Sequence, residues 1–153
     1  MKWRSGFSMI TAIFVMVMIA TVAMFVFSLS GKIVKSTTMQ YQREQAMLLA
    51  KSYTEYAILA VTANDRNSNC LHTIHGEVGD DPQNGDGYKA TVEIQYIGNA
   101  SATNGCGTMI LSNAVQTPQS PLSIIVDTYI EYKDIDNTNG QWLTYHRRTL
   151  QKI

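Results

Sequence analysis

The 153 residues carry twelve Lys and Arg against twelve Asp and Glu, so the formal net charge is zero. The balance is unevenly placed, because Lys2 and Arg4 stand before the first apolar run and no carboxylate appears until Glu44. The other ten basic residues and all twelve carboxylates follow Ser30 in a near-neutral region, which excludes the broad basic footprint of general nucleic-acid binding.

From Phe7 to Leu29 the chain runs 23 residues without a charge, with Thr11, Thr21 and Ser28 among its few polar positions. As a helix this run is about 35 Å long, enough to cross a hydrocarbon core of roughly 30 Å with some tilt. A secretory signal uses a shorter apolar region of about 7–15 residues, so length argues against removal at the small-residue site Ser28-Leu29-Ser30. Lys2 and Arg4 on one side face Lys32 and Lys35 on the other. The expected orientation is a short cytoplasmic tail with the following domain outside.

The leader Lys2-Trp3-Arg4-Ser5-Gly6, followed by Phe7-Ser8-Met9-Ile10, resembles the class III leader of type IV pilins and type II secretion pseudopilins. The likeness covers about Arg4 to Ala20: a basic leader, a glycine, and a phenylalanine that opens a long apolar helix. It implies cleavage between Gly6 and Phe7 by a prepilin peptidase, then N-methylation of Phe7. It also implies residence in the bacterial inner membrane with a periplasmic C-terminal domain. The implied partners are membrane lipid, an inner-membrane assembly platform and other pilin or pseudopilin subunits, with no nucleic acid and no cofactor.

One position departs from the family. The fifth residue after the cut, a glutamate in the family, is Thr11 here. A carboxylate at membrane depth is costly unless it meets a positive partner, and in the family that partner is taken to be a neighbouring subunit's N-terminal amine. Thr11 cannot neutralise an amine, although its hydroxyl can bond a carbonyl one turn earlier. The departure points to a minor or tip subunit over the main repeating one.

No proline precedes Pro82, so nothing forces the helix to stop at the membrane surface. Gly31 is the one weak point, at about 1 kcal/mol relative to alanine. Beyond it, residues 34–63 are rich in good helix formers. Ala46, Leu49, Ala50, Tyr53, Ala57 and Ala60 fall on one face suited to packing on a sheet, and Asn64-Asp65 reads as a stop. A continuous helix from about Ser8 to Ala63 is therefore expected, against the alternative of two helices broken near Gly31. The expected division is a leader over 1–6, a membrane or filament-core helix over 7–29, the outer half of the spine over 30–64, and a β-rich head over 65–153.

Cys70 and Cys106 are the only cysteines, and an even pair in an exported domain predicts a disulfide. Separate buried thiols are the alternative. Tyr88–Ile97 alternates apolar and polar residues and predicts a strand. Leu122–Lys133 and Trp142–Leu150 predict two more, joined as an antiparallel hairpin, and Met109–Leu111 is a short candidate. The fold class is α+β, a long N-terminal helix with a small antiparallel sheet on its distal half.

Several stretches invite chemistry. Asp134 and Asp136 open an oxygen-rich loop ending at Gly140, and a second such loop spans Gly79–Gly87. Neither has the glycine and glutamate spacing of a calcium-binding EF-hand loop, and Asp, Asn and Gly are what tight turns need. Turns are the reading, with calcium at Asp134 and Asp136 the alternative. Cys70, His72 and His75 make a C-x-H-x-x-H cluster without a nearby fourth zinc ligand, and a disulfide would take its thiolate. His146-Arg147-Arg148 with Lys152 reads as a charged, solvated edge strand. Asn99-Ala100-Ser101 fits a glycosylation sequon, a short tripeptide that arises often by chance. No nucleophile elbow or other catalytic arrangement stands out. The alternatives to a filament subunit are a single-pass anchored periplasmic binding or sensing module, and a secreted domain beginning near Gly31.

Overall fold

The computed structural model describes residues 9–65, 69–115 and 122–153. A single helix, α1 (Met9–Ala63), is followed by strands β1 (Thr73–Asp81), β2 (Asp86–Gly98), β3 (Ile110–Ser112), β4 (Leu122–Tyr132) and β5 (Leu143–Lys152). The long helix with an antiparallel sheet packed on its distal part is the expected α+β arrangement. One compact unit ends at Gln40 and a second spans Tyr41–Ile153, so the helix from Tyr41 onward belongs with the sheet.

The helix passes through Gly31 without a break. Its C-terminal end is fastened locally, where the Asn64 amide donates from Nδ2 to the Asn69 carbonyl at 2.7 Å. In the second unit the buried positions of α1 are Gln42, Ala46, Ala50, Thr54, Ala57 and Val61. They recur at four-residue and, once, three-residue steps and form one stripe. The alanines leave room for larger side chains from the sheet.

The sheet order is β1-β2-β4-β5, all antiparallel, with the short β3 pairing parallel to β2 beyond the start of β1. Register fixes which side chains face the helix. Val92, Ile94 and Tyr96 of β2 lie opposite Thr128, Val126 and Ile124 of β4, and all six are fully buried. Burial of each aliphatic side chain contributes roughly 1.5–3 kcal/mol. The Tyr96 hydroxyl, carried to the edge of this core, donates to the Leu71 carbonyl at 2.7 Å. Tyr88 and Tyr132 pack at the other end with ring centroids 5.6 Å apart, and burial raises both phenol pKa values.

Strand β1 was not expected from the sequence. TIHGEVGDD has two glycines and three carboxylates, with Ile74 and Val78 its only aliphatic residues. It is held by pairing with β2 and by close approach to the helix: a Cβ on Gly76 would collide with the Tyr53 ring. The strand ends in a bulge where Gly79 takes φ +101° and packs backbone to backbone on Gly87.

Candidate functional site

The first candidate site is the apolar half of α1. Phe14, Met16, Phe25, Phe27 and Val34 are all more than half exposed, and Phe27 reaches 78%. Such a face in water costs free energy until something covers it. Two hydroxyls along it bond inside the helix: Thr21 donates to the Met18 carbonyl at 2.8 Å, and Ser30 to that of Val26 at 3.0 Å. A surface of apolar side chains with internally bonded hydroxyls suits hydrocarbon or another helix. The helix is long and apolar enough to cross a membrane. Thr11 lies on it and is exposed, while Gly6 and Phe7, where cleavage is expected from the sequence, fall outside the described residues.

The second candidate lies on the face of the sheet turned away from the helix. Asp127 of β4 pairs with Arg148 of β5, which brings that guanidinium and His146, two residues earlier on the same face, onto one carboxylate. Arg148 binds it in a fork, Nε to Oδ1 and Nη2 to Oδ2, each at 2.8 Å. His146 Nε2 is 2.7 Å from Oδ1, and its ring stacks on Tyr129 at 4.5 Å. Asp127 is 3% exposed under these partners. Its pKa is lowered, first by the Arg148 hydrogen bonds and then by His146, against the opposing effect of burial. Arg148 is in turn held more firmly protonated by Asp127.

This cluster was not anticipated. β5 is an edge strand and its arginines do point to opposite faces, as expected from the sequence. His146 and Arg148, however, clamp a buried carboxylate instead of standing free in solvent. Finding it needed the β4–β5 register, since only that register identifies Asp127 as the cross-strand neighbour of Arg148. Nearby, Lys89 and Lys133 place their ammonium groups 5.2 and 5.1 Å from the Trp142 ring centre, which fixes the start of β5 by cation–π attraction.

Cys70 and Cys106 form a disulfide with Cα atoms 4.8 Å apart, both buried at the edge of the core. Cys70 is thereby removed as a zinc ligand. His72 Nδ1 lies 3.2 Å from the Thr73 hydroxyl, and His75 Nδ1 lies 3.4 Å from that of Thr91. Among the described residues no group of three or more His, Cys, Asp or Glu could hold a metal ion. Both oxygen-rich loops are built as turns. In the Asp134–Gly140 loop the Asn137 and Gly140 amides donate to the carbonyls of Asp134 and Asn137, and Asp134 Oδ1 accepts from the Asp136 amide. In the other, Asp81 caps the 3-10 turn by accepting from Asn84 at both the backbone and the side chain. Those bonds lower the Asp81 pKa. Asn99 likewise turns its own backbone, accepting at Oδ1 from the Ser101 amide.

No family model matches the chain, and no curated protein or solved structure matches it either.

Proposed function

We propose that this chain is a structural subunit of a type IV pilus or type II secretion pseudopilus, in a minor or tip position. The observation that carries the reading is one uninterrupted helix with two kinds of surface. Its N-terminal part offers apolar side chains to the surroundings, and its C-terminal part buries a small-residue stripe under a sheet. A plain membrane anchor needs only the first of these. In this reading the leader is cut between Gly6 and Phe7, and the apolar segments first lie in the inner membrane. They then exchange lipid for neighbouring subunits. Helices gain no hydrophobic free energy on meeting inside lipid, so close packing and complementary polar groups drive association. Transfer out of the bilayer requires an assembly platform, because the apolar segment must never stand bare in water. Thr11 in place of the family glutamate supports the minor or tip position.

N-terminal mass analysis of the mature protein tests the reading. A methylated Phe7 terminus is expected. An intact Met1 would instead indicate an anchored periplasmic module, and a terminus at Gly31 a secreted domain; either result overturns the proposal.

A further inference from the structure

We propose that two copies of this chain join their sheets edge to edge, the β1 edge of one receiving the β5 edge of the next. Among the described residues no strand pairs with the outer side of β1 or of β5, so both ends of the ladder are open. Natural sheets guard such edges with charge. Here the two edges carry opposite signs. β1 has Glu77, Asp80 and Asp81 and no Lys or Arg, whereas β5 has Arg147, Arg148 and Lys152 and no carboxylate. Like edges of two copies therefore repel, and unlike edges attract. The pattern disfavours a two-fold sheet dimer and favours a head-to-tail contact.

Strand direction agrees. With β1, β2, β4 and β5 each antiparallel to the next, β5 runs opposite to β1. A second copy added in the same orientation thus presents β5 antiparallel to β1, the more stable ladder. Overlap of residues 73–78 with 147–152 keeps each face with its like. Glu77 then stands across from Arg148, and Thr73 across from Lys152, all on the face away from the helix. Glu77 and Arg148 have side chains 64% and 63% exposed despite their pairs with Lys89 and Asp127 within one chain. On the helix side, a groove of about 520 Å³ runs beside β1, lined by Leu49, Tyr53, Tyr56, Ile74 and Val78. It lies where the incoming strand would set its inward side chains. Two adjacent copies satisfy the contact, so a minor subunit can make it. The inference goes beyond the assembly reading, which requires contact only through the N-terminal helices.

Co-expression of full-length His75→Cys and Leu150→Cys chains tests the pairing by oxidative cross-linking in membranes, with Thr73→Cys and Lys152→Cys as a second pair. A heterodimer linked at these positions is expected from either pair, and none from any variant expressed alone. Glu77→Lys in the partner of the Leu150→Cys chain should cut the yield about fivefold. A Met24→Cys variant reports helix contact separately. Met24→Cys dimers without either head cross-link overturn the edge pairing and leave the assembly reading standing. Absence of both kinds of cross-link also overturns the edge pairing, and the Phe7 terminus of the same chains then decides the assembly reading on its own.

Discussion

Thr54 of the helix and Thr128 of β4 meet inside the core with their hydroxyl oxygens 3.0 Å apart, both essentially without solvent contact. Thr54 donates its one proton to the Ala50 carbonyl at 2.7 Å, so Thr128 must be the donor between them. Thr54→Val would leave a buried hydroxyl without an acceptor and should destabilise the head by about 1–3 kcal/mol. Thr54→Val with Thr128→Val removes both partners and should recover most of that loss. Urea unfolding of the full-length protein in detergent, followed by near-ultraviolet circular dichroism, measures each step.

The Asp127 clamp predicts an acid dependence. Its folded pKa lies below the ordinary 3.8, so the ionised carboxylate stabilises the fold. That contribution is complete above the ordinary value and is lost as the pH falls from there through the lowered value. Asp127→Asn should flatten the decline in unfolding midpoint below about pH 4 relative to the unaltered protein. Arg148→Ala at neutral pH leaves His146 as the one clamp residue on a buried carboxylate. It should cost about 1–3 kcal/mol, limited by the solvent exposure of the guanidinium.

Two glycines should answer alanine in opposite ways. At Gly76 the new methyl group would meet Tyr53 ring carbons at 2.8 Å, and overpacking there should cost about 1–3 kcal/mol. At Gly31 a methyl group meets nothing within 4 Å, and alanine should raise local helix stability by about 1 kcal/mol. Thermal unfolding of the head distinguishes them: Gly76→Ala lowers the midpoint and Gly31→Ala leaves it in place.

Loss of the disulfide by Cys70→Ser with Cys106→Ser opens a connection of sequence separation 36. In the chain-entropy account this costs about 4 kcal/mol, and the unfolding midpoint in urea should fall accordingly. The proposed function makes its own prediction at Thr11. If that proposal holds, Thr11→Glu, which supplies the carboxylate that pilins carry at this position, should change the number of filaments or the position of this subunit within them, as counted by immunogold microscopy. No change in either would remove the argument for a minor or tip role.

Strand β2 is legible because apolar and polar residues alternate from Tyr88 to Tyr96, whereas β4 shows itself by its Ile, Val, Thr and Tyr content and β5 by the turn-rich loop before it. β1 is not legible, since an edge strand needs little apolar surface and TIHGEVGDD reads as turn material. The helix face was partly legible. Ala46, Ala50 and Ala57 are buried as expected, but the stripe also takes in Gln42, Thr54 and Val61, whereas Leu49, Tyr53 and Ala60 flank it half-buried. Gln42 and Thr54 join the buried stripe because each bonds a residue far along the chain, Lys133 and Thr128, which helical periodicity cannot reveal. Asp127 was hidden for the same reason: its partners are set by cross-strand register.

Gln42 donates from Nε2 to the Lys133 carbonyl at 3.0 Å across 91 residues of sequence. During synthesis at roughly 5–20 residues per second, the outer helix therefore waits about 5–20 s for the strand that completes its contact. A leucine-rich stripe left open on a nascent polypeptide for that interval would invite chaperones and wrong neighbours. A stripe built on Ala46, Ala50, Ala57 and a threonine exposes far less oily area, so the emerging helix can wait for its sheet while remaining comparatively inert.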